Sequence, residues 1–105
     1  MKNLSTDVAI IGVGTAGMTA YKAARKHTSF IITIEHGHYG TTCARVGCMP
    51  SKLLIAAGHA AQQARRSAAF GVHIPQVIVN GKEVMQRVRE ERDRFAGFSV
   101  EEVLA

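Results

Sequence analysis

Apolar residues first gather in a short unbroken run, Val8-Ala9-Ile10-Ile11, through which no polar residue alternates. Such a run predicts a β-strand covered on both faces, as strands of parallel sheets are. Gly12, Gly14 and Gly17 follow at once, and then Ala16 to Lys26, rich in alanine with Met18, Tyr21 and Lys22, favours a helix. Phe30-Ile31-Ile32-Thr33-Ile34 predicts a second buried strand that ends at Glu35. Strand, helix and strand at this spacing make a βαβ unit over 7–35, whose crossover is expected to be right-handed.

From His36 to about Met49 the periodicity is lost, which predicts a loop. Pro50 then suits the first turn of a helix, where its missing N–H has no partner to lose. Ser51 to Ala69 is rich in alanine and leucine and predicts a long helix, weakened at Gly58 by roughly 1 kcal/mol relative to alanine. Phe70 to Val79, around Pro75, reads as irregular or extended. Asn80-Gly81 marks a turn with Asn80 as helix cap, and a last amphipathic helix over 82–95 carries Val84, Met85, Val88 and Phe95 on one side. The fold class is α/β, with no internal repeat and no low-complexity linker.

Composition narrows the function classes. A chain of 105 residues makes one small domain and buries a limited share of its surface. With 47% hydrophobic and 20% charged residues it is globular rather than disordered. The net charge of +5 would suit a nucleic acid, a membrane surface or an anionic ligand. Yet Lys82, Arg87, Arg89, Arg92 and Arg94 are interleaved with Glu83, Glu90, Glu91 and Asp93, the mixed pattern of a solvated helix face. No tryptophan and no nucleic-acid motif is found, so no nucleic-acid partner is expected. Val8 to Ala20 is broken by glycines and threonines and falls short of a membrane span, and Asp7 spoils a signal-peptide layout. The expectation is a cytoplasmic protein with no membrane partner.

Gly12-Val13-Gly14-Thr15-Ala16-Gly17 fits G-x-G-x-x-G. The pattern alone is weak, but here it follows a predicted strand, opens a predicted helix and is answered by Glu35 after the next strand, the context of a dinucleotide site. Gly12 permits the tight turn, Gly14 lets a pyrophosphate approach the backbone, and Gly17 lets helix and strand pack closely. The helix N-terminus offers free N–H groups to the phosphates. Glu35 suits ribose hydroxyls and repels a 2′-phosphate, favouring FAD or NAD over NADP.

The second constellation is Gly40-Thr41-Thr42-Cys43-Ala44-Arg45-Val46-Gly47-Cys48-Met49-Pro50-Ser51-Lys52. Its C-x-x-x-x-C spacing differs from a thioredoxin-like C-x-x-C, and it lacks two further ligands for zinc, so no metal is expected. In a reducing compartment a close pair reads as redox-active rather than as a staple. Cys48 lies at the mouth of the predicted helix, where the helix dipole favours a thiolate. Lys52 lies one turn further on the same face and adds positive charge. His27, His59 and His73 are scattered and match no catalytic pattern.

Together the glycine turn, Glu35 and the stretch ending V-G-C-M-P-S-K resemble the FAD-binding, redox-disulfide segment of the class I pyridine nucleotide-disulfide oxidoreductases, most like the dihydrolipoyl dehydrogenase type. The resemblance runs from Asp7 to Phe95 and implies the N-terminal part of a Rossmann-like FAD-binding domain with its sheet incomplete. It implies that Gly12, Gly14, Thr15, Ala16 and Gly17 hold the FAD pyrophosphate, and that Glu35, with His36 beside it, holds the adenosine ribose. Gly40, Thr41, Thr42 and Cys43 would line the cofactor. The implied catalytic set is Cys43 as interchange thiol, Cys48 as the thiol against the flavin, and Lys52 near the ring. Electrons would pass between a dithiol or disulfide substrate (a small molecule or a lipoyl domain), the Cys43–Cys48 pair, FAD and NAD. Family members add an NAD-binding domain and a dimerisation domain, so this chain is expected to be a partial FAD-binding domain of a homodimeric parent, without full turnover of its own. Thr41 stands where a second glycine is common and His36 where Lys or Arg is frequent, which leaves the subfamily open, glutathione and mercuric reductase types included. A non-catalytic nucleotide-binding or self-associating module, or a flavin-free thiol sensor, are the alternatives from other classes.

Overall fold

The computed structural model describes residues 3–104. The first apolar run forms strand β1 (Val8–Ile11) and the second forms strand β2 (Ile31–Ile34), joined by helix α1 (Thr15–Ala24). The strands pair in parallel, with Val8 opposite Ile31 and Ile11 opposite Ile34. Phe30, expected within the second strand, stays outside it and is exposed, and its carbonyl accepts the Asp7 and Val8 N–H groups. The architecture is mixed α/β, a two-stranded parallel sheet with helices, consistent with part of a Rossmann-like domain.

The expectation that both strand faces are covered needs correction. Ile10 is buried on the α1 side with Met18, whereas Ile11 is 85% exposed and Ala9 is open too. An unbroken apolar run does predict two covered faces, but α1 is the helix that packs on this pair, and it lies on one side.

Downstream, the predicted loop contains a short helix α2 (Thr42–Arg45), which the pattern did not reveal. Helix α3 (Cys48–Arg66) begins before Ser51, with Gly47 as N-cap and Pro50 in its first turn. It ends earlier than Ala69, because Ser67–Phe70 tightens into a 3₁₀ turn closed by Gly71 at φ +75°. Helix α4 (Gly81–Leu104) is capped as expected, the Asn80 side chain accepting from the Lys82 and Glu83 N–H groups at 3.1 and 3.3 Å.

Helix α4 runs well past Phe95, through Gly97. Tertiary packing carries it: Ala96 is fully buried and the Tyr21 hydroxyl of α1 donates to the Leu104 carbonyl at 3.3 Å. Its inward side is Val84, Val88 and Ala96, four and eight positions apart, while Met85 and Phe95 are 40% and 42% exposed. Each of those two sits one position away from the inward row, about 100° around the helix.

The core consists of Ile10, Val13, Met18, Ala44, Val88 and Ala96. It gathers at the end where the strands, α1, α2 and the late part of α4 meet. Beyond it α3 and α4 pack along each other, giving extents of 67 × 29 × 17 Å and a radius of gyration of 20.7 Å. A compact chain of this length would have a radius of about 13 Å. No described helix is long and apolar enough to cross a membrane.

Candidate active site

The glycine turn is built as its sequence demands. Gly12 has φ +92°, a left-handed conformation that side-chain-bearing residues avoid. Gly17, in the first turn of α1, faces the backbone of Gly12, and an added Cβ would collide with the Gly12 carbonyl. Gly14 is the α1 N-cap with no side-chain cap, and the space where its Cβ would stand is open. Thr15 and Ala16 follow, exposed, at the start of α1. A backbone cradle with N–H groups free of side-chain caps and room in front of it fits a diphosphate.

Glu35 follows β2 directly and reaches back to this turn. Its Oε2 accepts the Val13 N–H at 2.8 Å, and its Oε1 accepts the His36 and Gly37 N–H groups at 2.8 and 3.1 Å. These bonds, that from Val13 foremost, hold the carboxyl below its ordinary value. A carboxylate has about four acceptor positions, so one direction remains for a ribose hydroxyl. The turn is thus pinned by the acid that would contact the cofactor. Glu35→Ala is expected to lower Tm at neutral pH. Glu35 is charged in the folded protein down to a lower pH than in the unfolded chain, so its contribution is present above the ordinary carboxylate pKa and lost as pH falls through the lowered folded value. Melting curves of both proteins from neutral to acid pH will converge, and a gap that persists in acid would contradict this.

The cysteine pair hangs on the same turn. The Gly40 N–H donates to the Val13 carbonyl at 3.1 Å, and Gly40 has φ +124°. Thr41 caps α2, its Oγ1 accepting the Ala44 N–H at 3.0 Å. Thr41→Val removes this cap and is expected to cost about 1 kcal/mol of stability, read in a denaturant titration. Thr42 opens α2 and is exposed, and Cys43 is its second residue. Cys48 is the first residue of α3, so it lies within the helix start rather than just ahead of it.

Both cysteines are free thiols and exposed. The Cys43 thiol is held above its ordinary value, chiefly by the neighbouring Cys48 thiol, with desolvation acting the same way and Lys52 opposing. The two thiols therefore lie near enough to act on each other. Lys52 is exposed on α3 and close enough for its charge to act on Cys43. Among the described residues, no histidine or carboxylate acts on Cys43.

The structure therefore brings the glycine turn, Glu35, Gly40, Thr41 and the cysteine pair into one region, linked through Val13, which is 1% exposed. His36 lies at its edge, exposed, contributing its N–H to Glu35. The pattern of motifs missed Arg45, Arg92 and Asp93, which join α2 to α4. Their side chains, with His38, Thr41 and Thr42, line a cleft beside the cysteine turn. Among the described residues no three His, Cys, Asp or Glu side chains gather as a metal site.

The sequence model of the family described as "Pyridine nucleotide-disulphide oxidoreductase" matches residues 6–104. A dihydrolipoyl dehydrogenase of Geobacillus stearothermophilus is 31% identical over 83 residues, covering 79% of this chain and 18% of that protein. One from Chlamydia trachomatis serovar D is 33% identical over 99 residues, 90% of this chain and 21% of the relative. A mercuric reductase of Streptomyces lividans is 42% identical over 64 residues, 61% of this chain and 14% of the relative. The chain thus spans about a fifth or less of the curated relatives it matches. From the matching family model, and with FAD as the cofactor this implies, the chain belongs to the pyridine nucleotide-disulphide oxidoreductase family.

Proposed function

We propose that this chain is the FAD-binding, disulfide-bearing segment of a dihydrolipoyl dehydrogenase-like oxidoreductase. It passes an electron pair between a substrate dithiol and a nicotinamide cofactor held elsewhere in the enzyme. The observation that carries the reading is the neighbouring pair of thiols, Cys43 in α2 and Cys48 opening α3, tied through Gly40 and Val13 to the glycine turn. The dihydrolipoyl dehydrogenase names among the relatives favour a lipoyl group, free or on a carrier domain, over a mercuric substrate. As in the family, the working unit would be a homodimer. The cytoplasm suits a pair that cycles between dithiol and disulfide rather than serving as a staple.

The residues fit the cofactor. Gly12, Gly14, Thr15, Ala16 and Gly17 would hold the pyrophosphate, and Glu35 the adenosine ribose with His36 beside it. Gly40, Thr41, Thr42 and Cys43 would lie along the cofactor, with Cys48 and Lys52 next to its ring. FAD, when bound, supplies the two-electron acceptor between the dithiol and NAD.

The chain's own chemistry is thiol–disulfide exchange. A substrate thiolate attacks the Cys43 sulfur of the oxidised pair, and the S–S bond breaks with Cys48 leaving as thiolate. The second substrate thiolate then displaces Cys43 from the mixed disulfide. The substrate leaves as a disulfide, oxidised by two electrons, and the pair is left reduced. In the reverse direction Cys43 must lose its proton first. Its raised pKa makes that loss harder, and among the described residues no base acts on it, so we assign the proton to a base from another part of the enzyme.

The test is retention of FAD. Protein incubated with FAD and then desalted will keep the visible absorption of the flavin. A folded protein, verified by circular dichroism, that elutes colourless contradicts the proposal.

A further inference from the structure

Arg45 lies between the two cysteines, two positions after Cys43 and three before Cys48. It is the last residue of α2, and its side chain folds back over the turn that carries the pair. Its Nε donates to the Tyr39 carbonyl at 2.9 Å. Its stem lies across Gly40, where an added Cβ would stand 3.3 Å from Nε and 3.5 Å from Cγ. The guanidinium tip then reaches Asp93 of α4 at 3.5 Å, and Arg92 holds the same oxygen at 2.8 Å from its other side.

These contacts differ in weight. Asp93 is half exposed, shared with Arg92 and at the limit of hydrogen-bond distance, so its pairing with Arg45 is weak. The bond to Tyr39 is charge-assisted and partly buried, with Arg45 itself 25% exposed. It closes a loop that starts before Gly40, whose own N–H is fixed to the glycine turn. One side chain therefore staples the segment before the pair to the residue between the two sulfurs.

We propose that Arg45 is a positioning residue for the cysteine pair, clamping the turn through Tyr39 and Gly40 so that Cys43 and Cys48 are held ready to close. This rests on the redox role proposed above. A turn already ordered loses less chain entropy when the S–S bond forms, which favours the disulfide. Lysine would not replace arginine here, because a single ammonium cannot serve Tyr39 and Asp93 at once in a planar fork.

The experiment equilibrates the cofactor-free chain with mixtures of reduced and oxidised dithiothreitol and counts free thiols by alkylation and mass spectrometry. In each exchange the two protein S–H groups become one S–S bond while the S–S bond of the reagent becomes two S–H groups, so two electrons and two protons change hands. Arg45→Ala is expected to shift the equilibrium about tenfold toward the dithiol, or about 30 mV. Arg45→Lys is expected to shift it about threefold, and Asp93→Asn by less than about twofold, since the Tyr39 bond dominates. A clamp that serves only stability would change the melting temperature and leave this equilibrium untouched. An unchanged equilibrium in folded Arg45→Ala overturns the proposal; if that variant does not fold, an unchanged Arg45→Lys does so. A wild-type pair that never closes within one chain overturns this proposal and the proposed function together, whereas normal closure with no effect of Arg45 overturns this one alone.

Discussion

Replacing Gly17 with valine is expected to abolish FAD retention and to lower stability together. The added Cβ meets the Gly12 carbonyl, which is backbone and has no rotamer through which to move aside. Overpacking typically costs about 1–3 kcal/mol, and this obstacle places Gly17→Val at or above the upper end. Helix α1 must slide along β1 or the Gly12 turn must open, and either movement displaces the N–H groups that would face the diphosphate. Losing about 3 kcal/mol of contact with the diphosphate through that displacement would weaken binding about a hundredfold, at about 1.4 kcal/mol per tenfold. Gly14→Ala makes the contrast. Nothing stands where its Cβ would go, so it is expected to melt like the wild type and still lose cofactor affinity, because the methyl occupies the approach of the phosphates. Thermal melts and equilibrium dialysis against FAD separate the two effects. A Gly17→Val protein with wild-type melting, or a Gly14→Ala protein with wild-type affinity, would refute these assignments.

Cys48→Ser is expected to speed alkylation of Cys43, although it removes a neighbouring nucleophile. The neighbouring Cys48 thiol raises the Cys43 pKa, so at neutral pH less of Cys43 is thiolate, the reactive form. Serine does not ionise in this range, so no neighbouring thiolate charge opposes the ionisation of Cys43. The pH midpoint of Cys43 alkylation will therefore move down in Cys48→Ser. In Lys52→Gln it will move up, because Lys52 opposes the rise. Mild oxidation supplies a qualitative companion: the wild type loses both thiols with no change in mass class, while either single serine variant keeps a free thiol or dimerises. Midpoints unchanged by both substitutions would show that the sulfurs and the ammonium do not act on one another.

The parts legible in the sequence are those where residue type alone forces geometry. Gly12 reads as a turn because its φ of +92° excludes most side chains, and Gly17 as a close approach because a Cβ has no room. Pro50 and Asn80 mark helix starts through local chemistry, a missing N–H in one case and a side-chain acceptor in the other. Helix α2 was hidden because it is one turn long, and its support comes from elsewhere: the Thr41 cap, the reach of Arg45 to Tyr39, and Asp93 far along the chain. The length of α4 past residue 95 was hidden for the same reason, since the burial of Ala96 and the bond of Leu104 to Tyr21 come from elements distant in the chain. The apolar runs of β1 and β2 told the element type correctly but not the covering, which depends on what packs there. Glu35 was legible as an acid facing the nucleotide turn. Its three backbone bonds were not, because they arise only once the turn and the strand end are brought together.

In the proposed enzyme the Cys48 sulfur stands beside a flavin whose diphosphate rests on the Gly12–Gly17 turn. The most direct measurement is the visible spectrum of FAD-loaded protein before and after reduction of the pair by a dithiol, compared in the wild type and the two serine variants. The predicted result is a long-wavelength absorption that appears in the wild type on reduction, is already present in Cys43→Ser without it, and is absent from Cys48→Ser. Retained flavin whose spectrum ignores both cysteines, or a band that follows Cys43 instead, would contradict it.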